Sequence, residues 1–260
     1  MAPPRRGPAA VAAVAAVLFC ALAVAVTARH GAPFPLDGSL HRWGARHRGG
    51  PWRGLSIAVT SSGTGITAYA LAALGGAVGR RGRRALLVGA VAGLAHLAAG
   101  QLLRTAVALS IDRARPPAAD WAWHASGPAL PSGHTTTSAM VAGLFVVAAL
   151  HRLRGRARAA LIPVAVLWAF AVGATRVHLG MHWPTDVLAG WLLAVVWVAL
   201  VAPLVHPAPV PDRAAPIKPE PAQPDPVGRV SRALGRSPAA PAQLQRHGDH
   251  GQDHDDGDGR

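Results

Sequence analysis

The chain has one cysteine, Cys20, so no disulfide can form within it and a cysteine-stapled scaffold is excluded. Charge is scarce too: 15% of the 260 residues are charged against 51% hydrophobic, and the mean hydropathy is +0.26. Extended disorder and coiled coils both need far more charge than this, so neither describes the main body of the chain. Acid is scarcest of all. Up to residue 206 the carboxylates are Asp37, Asp112, Asp120 and Asp186, set against 19 arginines, and the only lysine, Lys218, lies beyond that point. Aromatic residues make up 5% of the chain and are not interleaved with the basic clusters. The net charge of +14 is therefore not the footprint of a nucleic-acid surface, and no nucleic-acid partner is expected.

What is present is a series of separate apolar runs near bilayer-spanning length, at roughly 9 to 27, 54 to 78, 85 to 109, 136 to 151, 159 to 176 and 187 to 206. These predict an all-α polytopic membrane protein of six helices surrounded by lipid, the fourth run extending back into Ser132 to Thr135. Arginines cluster before the first run (Arg5, Arg6), after the second (Arg80, Arg81, Arg83, Arg84) and after the fourth (Arg152, Arg154, Arg156, Arg158). The positive-inside rule places these in the cytoplasm, with both termini inside and loops one, three and five outside. Loop one, with Arg29, Arg42, Arg46, Arg48 and Arg53, runs against that pattern. The first run is long for a cleavable signal peptide and reads as an uncleaved anchor, with Cys20 as a buried thiol inside it.

The composition changes at Pro207. Residues 1–206 form the expected membrane domain, whereas 207–260 carry proline at 207, 209, 211, 216, 219, 221, 224 and 226 and no long apolar run. Such a tail cannot bury enough surface to offset its ordering entropy and is expected to be disordered. Its end, His247 to Asp258, mixes histidine with aspartate at no spacing that fixes a metal geometry, and reads as a solvated acidic segment.

Three polar sets lie where the spans meet loops three and five, all inside residues 104–186. They are Asp112-Arg113-Ala114-Arg115-Pro116-Pro117, then Pro131-Ser132-Gly133-His134, then Thr175-Arg176 followed by His182 and Asp186. Ser132 and Gly133 at a helix start would offer free backbone N–H groups and the positive end of the helix dipole to an anion. His134 stands at the edge of that site, able to give a proton to a leaving oxygen. Asp186, four residues after His182, can reach its ring nitrogen if a helix begins near Pro184, fixing the tautomer and raising the basicity of the other nitrogen. Arg115 and Arg176 supply planar forks suited to phosphate oxygens. His96, inside the third run, reads as an interhelical hydrogen-bonding group, and His124 and His178 as surface or packing residues.

Together, in this order, the sets resemble the type 2 phosphatidic acid phosphatase (PAP2) superfamily, whose pattern is Lys-x6-Arg-Pro, Pro-Ser-Gly-His and Ser-Arg-x5-His-x3-Asp. Pro131 to His134 match the second motif at every position, and Arg176, His182 and Asp186 fall at the spacing of the third, with Thr175 in place of serine. The resemblance covers roughly residues 37 to 206 and departs in the first motif, where Ala108 stands at the lysine position. Arg104, one turn earlier on the same helical face, is the candidate replacement. The resemblance implies a six-helix bundle of the PAP2 and vanadium haloperoxidase type. It also implies metal-independent, cofactor-free hydrolysis of a lipid phosphate or polyprenyl diphosphate at the extracytoplasmic face. His182 would attack phosphorus to form a phosphohistidine, Asp186 would orient it, and His134 would protonate the leaving oxygen. Arg115, Arg176, Ser132, Gly133 and Arg104 would hold the phosphoryl oxygens. A non-catalytic lipid-phosphate binder, inactive for want of the lysine, is the alternative that Ala108 raises.

The arginine pattern makes a direct prediction about topology. Reporter fusions after Pro117 and after Arg154 are expected to report opposite sides of the membrane, and an external Arg154 loop would reverse the orientation.

Overall fold

The computed structural model describes residues 6–207, and the expected tail therefore lies outside the described residues. Among the described residues the chain is all helical: α1 (Arg6–Ala28), α2 (Pro35–His47), α3 (Pro51–Ser62), α4 (Gly65–Ala77), α5 (Arg83–Ile111), α6 (Gly133–Arg152), α7 (Gly155–His178) and α8 (Pro184–Val205). Five of them, α1 and α5 to α8, are long and apolar enough to cross a membrane. The chain is a multi-pass membrane protein.

The second expected span is not one straight helix. Its residues form α3 and α4, which meet at a 51° bend; if each bent pair counts as one span, the six-span layout is complete. The break has a local cause in Ser62-Gly63-Thr64-Gly65. Thr64 is extended (φ −149°) and Gly65, with φ +58°, turns the chain into α4, while Gly63 lies so close to α7 that a Cβ there would sit 2.6 Å from Val172 Cγ1. The segment between α1 and α3, read from the sequence only as a loop, contains the amphipathic helix α2. Its pattern is short and mixed in polarity, which a search for spanning runs passes over.

Helix contacts follow small residues, as expected where lipid removes any hydrophobic drive between helices. α1 packs along α8, α4 against α5, and α6 against both α7 and α8. At the α4–α5 seam the backbones touch: a Cβ on Gly76 would sit 2.0 Å from the Gly89 carbonyl oxygen, and one on Gly93 2.1 Å from that of Ala72. Gly143 receives Val198 and Gly173 receives Trp191 in the same way. The central cluster, Ala68, Ala72, Leu97, Met140, Val141 and Ala194, joins α4, α5, α6 and α8. Large apolar side chains such as Val17, Leu87, Leu102, Leu167 and Leu204 point outward, which in a membrane is the lipid-facing surface. Cys20 lies on that outer surface of α1 and is exposed, not buried as the sequence suggested. His96 is buried but makes no interhelical hydrogen bond through its ring among the described residues; its backbone oxygen instead accepts from Trp197 Nε1 at 3.2 Å.

The seam gives a stability prediction. Gly76→Ala is expected to destabilise the bundle by about 1–3 kcal/mol or more, because the colliding atom is backbone and cannot rotate away. Gly54→Ala, where nothing lies within 4 Å, should be neutral or slightly stabilising. Thermal melting of both variants in detergent measures the contrast.

Candidate active site

Four segments converge at one end of the bundle. α5 ends at Asp112, whose left-handed conformation (φ +45°) turns the chain so that Arg113 and Arg115 lie back over the bundle. The long connection to α6 is tied down along its length: Ala129 N–H donates to Arg113 O at 2.8 Å and Ala122 N–H to Leu179 O at 2.9 Å. Arg48 donates to the Asp120 carbonyl and Arg53 to the Ala122 carbonyl. Ser132 N–H donates to the Asp186 backbone oxygen at 3.0 Å, which docks the start of α6 onto the start of α8.

His182 and Asp186 sit where a proline sets the helix start. In Trp183-Pro184-Thr185-Asp186, Pro184 occupies the first turn and the Asp186 Oδ2 atom accepts the Trp183 N–H at 2.8 Å. That fixes the carboxylate with Oδ2 3.5 Å from His182 Nδ1, an approach expected from the sequence, although Nδ1 makes no hydrogen bond. The other ring nitrogen, Nε2, accepts from Arg115 Nη1 at 2.7 Å. A guanidinium can only donate, so Nε2 carries the lone pair and the proton of the neutral ring belongs on Nδ1, facing Asp186. Burial, and then the charges of Arg115, Arg176, His134 and Arg104, hold the His182 ring well below the ordinary histidine value of 6.5. It is neutral at physiological pH, its Nε2 electron pair engaged by Arg115.

The arginines differ in what they hold. Arg115 is fastened by its other donors to the carbonyls of Gly127 (2.8 Å), Ser126 (2.7 Å) and Met181 (3.0 Å), and burial lowers its pKa to about 10. Arg176 is 1% exposed, yet its partners are only the Thr60 hydroxyl at 3.0 Å and the Met181 sulfur at 3.6 Å, and its Nε meets no acceptor among the described residues. Neither guanidinium has a carboxylate partner among the described residues. A buried cation without a counter-ion is costly unless an anion completes the site. Arg104 lies at the same place but is occupied: Nε and Nη2 both donate to the Pro131 carbonyl, at 2.9 and 2.7 Å, and its guanidinium covers Gly133. Ser132 is fully buried and its hydroxyl accepts from Thr135 Oγ1 at 3.0 Å, while His134 is half-buried beside it. The first amides of α6 have no intrahelical acceptor, so they remain available to a ligand. Among the described residues no three His, Cys, Asp or Glu side chains come together in a metal-binding group.

Several residues that surround the site have no role assigned from the sequence. Arg113, Asp37, Thr185 and Thr60 are wholly or partly buried and hold the expected residues in place. Asp37 sits in Phe34-Pro35-Leu36-Asp37, the same aromatic-Pro-x-Asp arrangement as the start of α8, and its Oδ2 accepts the Phe34 N–H at 3.1 Å. That repeat, and the rarity of acids in the body, were the available signals.

Residues 89–208 match the PAP2 superfamily. Phosphatidylglycerophosphatase B of Escherichia coli (strain K12) is 38% identical over 91 residues, which is 32% of this chain and 34% of that protein. The proteins of the same name from Escherichia coli O157:H7 and Shigella flexneri match to the same extent. The match thus spans about a third of the length of these curated relatives. The fold is similar to the crystal structure of the first transmembrane PAP2 type phosphatidylglycerolphosphate phosphatase from Bacillus subtilis, with a TM-score of 0.60 and 23% identity over 77% of this chain and 96% of that one.

Arg115→Gln removes the largest charge acting against protonation of His182, so the ring pKa should rise. It should stay below 6.5 because burial, the larger cause, remains. Titration of isotope-labelled histidine by NMR from about pH 8 to about pH 4 checks both points. A wild-type His182 signal that titrates near 6.5 would contradict the neutral, desolvated ring.

Proposed function

From the match of residues 89–208 to the PAP2 superfamily, we propose that the chain is an integral-membrane, metal-independent phosphatase acting on a lipid phosphate or polyprenyl diphosphate. The observation that carries this reading is the pair of partly or fully buried guanidinium groups, Arg115 and Arg176, without carboxylate partners among the described residues, beside a neutral histidine whose lone pair faces them. A phosphoryl group is the anion that such forks recognise, and the histidine is the group that would react with it.

In this mechanism the substrate phosphoryl group displaces the Arg115 N–H from His182 Nε2, and Arg115 turns that donor to a phosphoryl oxygen while its carbonyl contacts keep it in place. Nε2 attacks phosphorus, the bond from phosphorus to the leaving oxygen breaks, and His134 gives that oxygen its proton. Positive charge develops on the imidazole and is met by Asp186 at Nδ1. Arg176, the Ser132 hydroxyl, the Gly133 amide and the Arg104 charge stabilise the phosphoryl oxygens. Water, deprotonated by His134, then cleaves the phosphohistidine and releases inorganic phosphate. The arginine loops support an extracytoplasmic site with both termini in the cytoplasm. Phosphatidylglycerol phosphate is a first substrate to try, since the curated relatives are named for that activity; phosphatidic acid and a polyprenyl diphosphate are the others.

Phosphate release by purified protein with EDTA present tests the activity and separates it from the alternative of a non-catalytic lipid-phosphate binder. His182→Ala should abolish turnover. His134→Ala should lose about 100 to 10,000-fold on a lipid phosphate but retain a measurable rate on an activated aryl phosphate, whose leaving group needs no acid. Full activity of either variant on a lipid phosphate would rule out this mechanism.

A further inference from the structure

The buried ion pairs behind His182 form a closed cluster that the mechanism so far has not used. Arg113 is 2% exposed, and its fork is divided between two carboxylates: Nη1 donates to Asp186 Oδ1 at 2.6 Å and Nη2 to Asp37 Oδ2 at 3.0 Å. The side chains of all three are fully buried. Thr185 joins them, accepting from Arg113 Nη1 at 2.6 Å and donating its hydroxyl to the Asp37 carboxylate, while its backbone N–H donates to Asp37 Oδ1 at 3.0 Å. Arg113 Nε donates to the Gly31 carbonyl at 3.2 Å. Four segments of chain are thereby pinned at one point: the end of α1, the start of α2, the end of α5 and the start of α8.

The charges do not cancel. One guanidinium faces two carboxylates, leaving the cluster one negative charge in surplus, and the surplus lies directly behind the nitrogen expected to become cationic. A one-to-one pair of Arg113 with Asp186 would neutralise the carboxylate that His182 needs. Sharing Arg113 with Asp37 leaves Asp186 negative while locking its orientation, since Oδ1 is held by Arg113 and Oδ2 by the Trp183 N–H. We propose that Arg113 and Asp37 are positioning residues of the phosphatase reaction, holding Asp186 in place and in charge so that it stabilises the imidazolium formed at His182. Asp37 lies outside residues 89–208, so the cluster is completed by a helix that precedes the matched segment. The inference rests on the reading of His182 as the nucleophile.

The test compares Asp37→Asn, Arg113→Lys, Asp186→Asn and the Asp37→Asn/Asp186→Asn pair in purified protein, by phosphate release, radiolabelled phosphate trapped on His182, and thermal melting. Asp37→Asn keeps the acceptor oxygen for Thr185 and removes the surplus charge. It should lower kcat by about 10 to 100-fold, the loss typical of partners that orient a reacting group, with KM within about threefold. Arg113→Lys keeps a charge but cannot bridge both carboxylates, and should likewise lower kcat more than it raises KM. In the Asp186→Asn background, with the rate followed on an activated aryl phosphate, Asp37→Asn should add less than about a threefold further loss, because it acts through Asp186. Unchanged kcat in Asp37→Asn, with His182 labelled as in wild type, would overturn the positioning role alone. So would losses that multiply in the double variant and track the fall in melting temperature, since that is how a purely structural tie behaves. A wild-type protein that releases phosphate without taking label on His182 would instead overturn the phosphohistidine reading beneath it.

Discussion

A charge removed from water must find a partner, and at the head of this bundle that requirement organises everything else. Arg113 satisfies it for Asp37 and Asp186 together, and each of those aspartates is also the first-turn carboxylate of a helix. The aromatic-Pro-x-Asp sequence therefore does three things at each site. The proline sets the first turn, the aspartate Oδ2 accepts the N–H ahead of it, and the carboxylate also reaches the shared guanidinium, through Oδ1 at Asp186 and through the same Oδ2 at Asp37. Where α2 and α8 begin relative to one another is thus fixed by Arg113, just past the end of α5, together with the direct hydrogen bonds from Thr185 to Asp37. The requirement is met there and left open at Arg115 and Arg176, which have no carboxylate partner among the described residues.

The spans and the approach of Asp186 to His182 were legible in the sequence for different reasons. Uncharged runs of spanning length report the bilayer directly, whereas the short helix α2 and the bend between α3 and α4, where Gly63 and Gly65 lie, are too local for spanning hydropathy to register. The spacing of His182 and Asp186 was readable because both lie within one helical turn of a proline. Arg113 and Asp37 were not, since they are 76 residues apart and their pairing has no period. Arg104 is an intermediate case: it lies over Gly133, but two of its nitrogens, Nε and Nη2, donate to the Pro131 carbonyl, a partner that no side-chain pattern announces. Cys20 and His96 were misjudged in burial and bonding for a related reason. In lipid, an exposed helix face and a buried one are both apolar, and composition does not separate them.

The helices ahead of residue 89 do more than anchor the chain. Thr60 on α3 receives Arg176, Arg53 holds the Ala122 carbonyl, and His41 on α2 meets Asp120 at 3.0 Å while its ring lies 5.3 Å from that of Trp183. α2 and α3 thus form a collar around the long connection between α5 and α6, and through it around the loop that carries His182. The proposed site residues, all later in the chain, are thus held in part by the earlier helices.

The glycine seam between α4 and α5 carries a consequence of another kind. Its closeness depends on carbonyl oxygens meeting hydrogen atoms, not on interlocking side chains, so no change of rotamer can loosen it and no compensating substitution nearby can make room. Tolerance to mutation along these two helices is therefore inverted from the usual pattern of a folded domain. The bulky residues facing lipid, such as Leu74, Leu87 and Leu102, are interchangeable with any apolar neighbour in size, while Gly76, Gly89 and Gly93 admit nothing larger than hydrogen. In the drift of this chain over generations, those three smallest positions are the ones that must stand still.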